Sequence, residues 1–126
     1  MPDTLIQPSA LAVLTTRRPP LDTLIRDTLD DLLAENIVFI NLHGKSSLAD
    51  TLVIATGRAP RHLDALADKL KEVLSLRGFA SPAINGQGNS GWVIVDAGDT
   101  IVHLFLKETR ERYNLERMWG TTFSAQ

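Results

Sequence analysis

The chain has 126 residues, 44% hydrophobic and 22% charged, a balance that fits one globular domain burying roughly 65–70% of its unfolded surface. Thirteen lysines and arginines against fifteen aspartates and glutamates leave a formal charge of −2, which disfavours a domain that grips phosphate backbones by overall charge. The absence of cysteine excludes disulfides, thiolate metal sites and cysteine nucleophiles. No apolar run reaches the ~18–20 residues of a membrane span, and the first twenty residues lack the marks of a secretory signal, so a cytoplasmic location is expected.

Residues 1–20 hold four of the six prolines and read as a flexible leader, with a weak apolar turn around Ala10 to Leu14. The domain is expected over residues 21–120, with 121–126 as a tail. LDTLIRDTLDDLLAE places Leu21, Leu24, Ile25, Leu29, Leu32 and Leu33 on one stripe of an amphipathic helix, its acidic residues outward. IVFINL (37–42) and TLVIAT (51–56) are short, β-branched apolar runs that predict strands covered on both faces, joined by the loop HGKSSLAD. Pro60 then opens a second helix with Leu63, Leu66, Ala67, Leu70, Val73 and Leu74 inward, and Gly78 ends it. Phe79 to Ile84 predicts a short edge strand, because Pro82 cannot donate to a central ladder. NGQGNSG is a loop, WVIVDA and TIVHLF form a hairpin, and KETRERYNLERMW predicts a closing helix. The order implies an α/β fold, a single mixed sheet flanked by helices.

Three stretches resemble phosphate-binding chemistry. Gly44-Lys45-Ser46 lacks the glycine five residues earlier that a P-loop needs, since Phe39 stands there inside a strand. NGQGNSG is followed by a strand where a dinucleotide fingerprint needs a helix. TGRAPRH sets Arg58, Arg61 and His62 at a strand end leading into a helix start, the best candidate anion site, and equally a turn with exposed charges.

GWVIVDAGDTIVHLF holds two aspartates and a histidine. If Gly98-Asp99 is a two-residue turn, Ala97 faces Thr100, and Trp92 pairs with Phe105, Val93 with Leu104, Ile94 with His103, Val95 with Val102 and Asp96 with Ile101. Val93, Val95, Val102 and Leu104 then share an apolar core face. The opposite face mixes Trp92, Ile94, Asp96, Ile101, His103 and Phe105. A metal-dependent nucleotidyl transfer site needs carboxylates at i and i+2 on one strand, whereas Asp96 and Asp99 straddle the turn. These residue types fit a recognition face better than a reaction centre. On the last helix, Tyr113, Leu115, Met118 and Trp119 suit an interface and a core stripe equally.

ADTLVIATGRAPRHLDALAD (49–68) and GWVIVDAGDTIVHLFLKETRERYNLERMW (91–119) together resemble the ribosomal silencing factor (Iojap-like) family, with residues 21–119 covered. The resemblance implies a fold similar to nucleotidyltransferases without their catalytic carboxylates, and no reaction or cofactor. It implies binding to the large ribosomal subunit through ribosomal protein fourteen, which would block joining of the small subunit and repress translation. By the same resemblance the contact patch centres on Trp92 and Asp96, Ala97, Gly98 and Asp99, with Arg58, Arg61, His62 and His103 as further hallmark positions. Asn85-Gly86 and Thr51-Leu52 depart from the family's usual Glu-Gly and aromatic. The rival readings are a nucleotide-binding or nucleotidyltransferase-like enzyme using Lys45, Arg58 and Arg61 for phosphates with Asp96 on a metal, and a regulator that pairs with a second copy when free.

Overall fold

The computed structural model describes residues 18–44, 49–88, 90–115 and 117. Most of the leader, Lys45 and Ser46, Met118 and Trp119, and the tail 121–126 lie outside the described residues.

Helix α1 (Arg18–Asp31) begins three residues before the expected boundary. Pro19 and Pro20 fall in its first turn, where a missing N–H costs no helical hydrogen bond. Leu21, Ile25 and Leu29 are buried at the expected spacing. The stripe ends earlier than its leucines suggest. Leu33 takes a left-handed conformation (φ 64°) and is 60% exposed, while the Ala34 N–H closes the helix end on the Leu29 carbonyl at 2.9 Å.

Strands β1 (Glu35–Asn41), β2 (Thr51–Gly57), β3 (Ala83–Asn85), β4 (Trp92–Asp96) and β5 (Thr100–Leu106) form one mixed sheet in the order β1-β2-β5-β4-β3. β2 and β5 run parallel at its centre, and the other neighbours are antiparallel. β2 is covered on both faces, as its unbroken apolar run predicts. β1 is not: it lies on the sheet edge, half-exposed, with a register shift between Glu35 and Val38. The opposite edge is the three-residue β3, next to Pro82.

Helix α2 (Pro60–Leu76) buries Leu63, Leu66, Ala67, Leu70 and Leu74, and ends where Gly78 (φ 89°) lets the Phe79 N–H reach the Leu74 carbonyl at 2.9 Å. Both α1 and α2 pack on one face of the sheet, over Val53, Ala55, Val93, Val95, Val102 and Leu104. A smaller cluster, Ile40, Leu42, Leu52, Ile54 and Phe105, occupies the opposite face. Helix α3 (Lys107–Tyr113) follows β5 directly. The closing helix expected is interrupted at Asn114, which turns left-handed (φ 48°) with its N–H capping the Arg110 carbonyl at 2.8 Å, and helical conformation resumes at Leu115 and Arg117. Arg110 pins α3 to the sheet: its Nη1 donates to the Asn36 carbonyl at 2.7 Å and to Thr56 Oγ1 at 2.8 Å.

One acidic residue of α1 does not face outward. Asp22 accepts from the buried Thr100 hydroxyl at 2.9 Å and from the Thr51 hydroxyl at 3.5 Å. Those threonines are the first residues of the two parallel strands, so Asp22 ties the helix layer to the start of both.

Candidate docking surface

The hairpin register follows strand alternation. Trp92–Phe105, Val93–Leu104, Ile94–His103, Val95–Val102 and Asp96–Ile101 pair as the turn geometry requires, and the Ala97 N–H meets the Thr100 carbonyl at 2.9 Å. Val93, Val95, Val102 and Leu104 point into the helix-covered core. Trp92, Ile94, Asp96, Ile101, His103 and Phe105 share the other face.

Around Trp92 that face is aromatic. The indole packs against Phe105 at 4.9 Å and against Tyr113 of α3 at 4.7 Å between ring centroids, both tilted. Its Nε1–H donates to His103 Nδ1 at 3.0 Å, and the imidazole stacks on Phe105 at 6.0 Å. An indole nitrogen only donates, so His103 Nδ1 must be the unprotonated acceptor and its proton must sit on Nε2. Burial supports the same neutral form: desolvation lowers the His103 pKa from its ordinary 6.5 to about 4.

That depression makes stability depend on pH. Below about 6.5 the unfolded chain binds a proton at His103 that the folded chain refuses. The contribution is therefore complete above pH ~6.5, is lost as pH falls towards ~4, and changes little below that. The loss is on the order of 3 kcal/mol. Urea unfolding at pH 7, 5.5 and 4.5 should show a decline with acidification that is shallower in His103→Gln, carboxylate titration being common to both proteins.

The turn joining β4 and β5 is held from several sides. Asp96 Oδ1 accepts the Gly98 N–H at 2.9 Å, and the Asp99 carbonyl accepts the N–H groups of Asp50 and Thr51 at 2.8 and 3.1 Å. Gly98 supplies the positive φ of 87° that the turn needs. Asp96, Gly98 and Asp99 are exposed and Ala97 is half-buried, so the segment presents two carboxylates on a fixed backbone. The carboxylates stand on either side of the turn, not two apart on one strand. Among the described residues no group of three or more histidines, aspartates and glutamates could hold a metal ion.

The remaining predicted residues lie elsewhere. Parallel pairing sets Thr51 beside Thr100 and Gly57 beside Leu106, so Asp99 precedes the start of β2 and Arg58 follows its end. Seven residues of strand separate them by about 20 Å. Arg58 and Arg61 are exposed there. His62 is engaged by the protein itself: Nδ1 accepts the Arg58 N–H at 2.9 Å, and Nε2 lies 2.7 Å from the Leu32 carbonyl. It ties the end of α1 to the start of α2. The nine residues do not form one cluster: the Asp96–Asp99 turn stands at one end of the sheet, and Trp92, which pairs with Phe105 beside Thr56, stands towards the other end, the one that carries Arg58, Arg61 and His62, with His103 between.

Two contributors to the Trp92 site carry no local sequence signal. Ser90 Oγ accepts the Trp92 N–H at 3.2 Å and donates to the Gly86 carbonyl. Gly86, at φ 92°, lies so close to the Trp92 carbonyl that a Cβ would collide with it. Beside the indole, Ser90, Thr109, Arg112 and Tyr113 help to line an open pocket of about 310 Å³.

A family model described as ribosomal silencing factor during starvation matches residues 15–126, nearly the whole chain. The chain belongs to the ribosomal silencing factor family. A ribosomal silencing factor, RsfS, from Zymomonas mobilis is 50% identical over 98 residues, covering 77% of this chain and 73% of that protein. The mouse protein named mitochondrial assembly of ribosomal large subunit protein 1 is 35% identical over 89 residues, covering 68% of this chain and 39% of its own. A crystal structure of a Chromobacterium violaceum protein superposes with a TM-score of 0.77 at 30% identity, covering 81% of this chain and 85% of that one. The resemblance carried by the 49–68 and 91–119 stretches is thus a family relationship, and the α/β sheet is that of the solved relative. The bacterial match is named as a silencing factor, not as an enzyme. No helix among the described residues is long and apolar enough to cross a membrane.

Proposed function

We propose that this silencing factor binds the large ribosomal subunit through ribosomal protein fourteen, on the face that meets the small subunit, and represses translation by keeping the subunits apart. The observation that carries the reading is the β4–β5 hairpin. It holds a half-buried tryptophan in a fixed aromatic seat and offers an exposed acidic turn at its far end. An aromatic anchor with a polar rim is the composition of a protein-binding hot spot. The family description names a ribosomal silencing role, and the name of the mouse relative specifies the large subunit. Trp92, Asp96, Ala97, Gly98, Asp99 and His103 form the primary contact. Arg58 and Arg61, towards the same end of the sheet as Trp92, would extend the contact there, with His62 supporting their loop.

Co-sedimentation tests this. The chain should pellet with salt-washed large subunits, not with small ones, and excess isolated ribosomal protein fourteen should release it. Equal pelleting with both subunits, or no competition, contradicts the reading. The rival nucleotide-binding reading predicts heat on titration with millimolar nucleotide and magnesium. The divergence of Asp96 and Asp99 and their separation from Arg58 and Arg61 argue against it.

A further inference from the structure

We propose that His103 is a positioning residue for Trp92: by accepting the indole N–H it selects the one ring orientation that a partner meets. The inference rests on the docking reading above and adds to it the group that orients the anchor.

Trp92 and His103 are diagonal neighbours across the β4–β5 ladder, since Trp92 pairs with Phe105 and His103 with Ile94. Phe105 and Tyr113 contact the indole through ring contacts at 4.9 and 4.7 Å. Such contacts limit where the ring lies, and because a half-turn about Cβ–Cγ would swing the six-membered ring across they share in setting its orientation, but none of them singles out the N–H edge. The 3.0 Å bond from Nε1 to His103 Nδ1 does discriminate. A flip about the Cβ–Cγ bond carries the N–H to the other side, away from its acceptor, and leaves a polar group unpaired among rings.

A histidine suits the task for a reason visible in its surroundings. The ring is itself oriented by stacking on Phe105, with an interplanar angle of 15°. Its lone pair therefore points in a set direction before the indole arrives. Holding the anchor in its bound orientation reduces the ordering cost of association, which is how a residue that need not touch the partner can raise affinity. A residue that only filled space here could be replaced by any apolar side chain of similar volume.

The test uses the full chain, ¹⁵N-labelled, as wild type, His103→Leu (no acceptor) and His103→Gln (an amide oxygen in place of the ring nitrogen as acceptor). Trp119→Phe in each background assigns the Trp92 indole signal. Indole N–H exchange should be slow in the wild type, at least about tenfold faster in the leucine variant, and restored in part by glutamine. Affinity for purified large subunits should fall about threefold to tenfold in the leucine variant, the size of one lost net hydrogen bond, and recover with glutamine. Unchanged indole exchange in His103→Leu overturns the positioning role without reference to the ribosome. Faster exchange with unchanged affinity overturns its part in docking, and equal weakening by leucine and glutamine shows that the acceptor is not what matters. Thermal melts accompany each variant, and His103→Phe replaces the leucine variant if that one does not fold. If Trp92→Ala binds like the wild type, the docking reading itself has failed; the exchange comparison still decides the geometry.

Discussion

Trp92→Ala should weaken binding to large ribosomal subunits by about 30-fold or more while the chain remains folded. The size follows from what the indole does. It is half-buried, wedged between Phe105 and Tyr113, and joined to His103, so it presents a rigid apolar edge that loses little entropy on docking. Truncating such an anchor typically costs ~2–4 kcal/mol of binding. The substitution also leaves His103 Nδ1 without its donor, so a lower melting temperature is expected as well, without loss of the sheet. Asp96→Asn is the companion variant. It keeps an oxygen for the Gly98 N–H and removes the charge, so the turn should persist and affinity should change by a few-fold at most, chiefly at low salt. Sedimentation binding at two salt concentrations reads both. A folded Trp92→Ala protein with wild-type affinity would place the docking surface elsewhere.

Phe105→Ala should produce the largest loss of stability among substitutions on this sheet face, about 3–5 kcal/mol of the 5–15 kcal/mol usual for a domain. Phe105 is fully buried, on the face away from α1 and α2, and packs with Ile40, Leu42, Leu52 and Ile54 in the smaller cluster. It also forms the floor under both Trp92 and His103. A cavity there loosens the second core and the seat of Trp92 together. Urea unfolding should show a lower midpoint, and the melting temperature should fall by roughly 10–20 °C. A loss below about 1 kcal/mol would mean that this face contributes little as a core.

The elements most open to reading from sequence are those where one physical rule acts alone. In the hairpin, a two-residue turn and strict alternation determine the partner of every residue from Trp92 to Phe105. In α2, a proline at the first position, a 3.6-residue apolar stripe and a terminal glycine all agree. Competing signals hide the rest. Leu33 continues a leucine stripe by spacing, yet the chain must turn there to enter β1, and the backbone goes left-handed at a leucine. KETRERYNLERMW has the composition of one long helix, but Asn114, which tolerates positive φ, interrupts it before helical conformation resumes at Leu115. β1 is as apolar as β2 and still lies at an edge, because local composition does not report sheet order.

The candidate site divides in the same way. That Trp92, Asp96 and His103 share a face follows from a period of two. That His62 is bound to Leu32, thirty residues away, follows only from the packing of α1 beside α2. Asp22 is similar: its bond to Thr100 spans 78 residues, and on a helix stripe it resembles any outward carboxylate. The family relationship supplies the ribosomal context, and local physics explains why the hairpin is stiff.

The most direct test of the central claim mixes purified large and small subunits at a magnesium concentration that favours joining, with and without the chain, and separates them on a density gradient. The joined particle should give way to separate subunits as the chain is added, with the chain migrating in the large-subunit peak. A joined peak that is unchanged at saturating chain, whether or not the chain migrates with it, would contradict that claim.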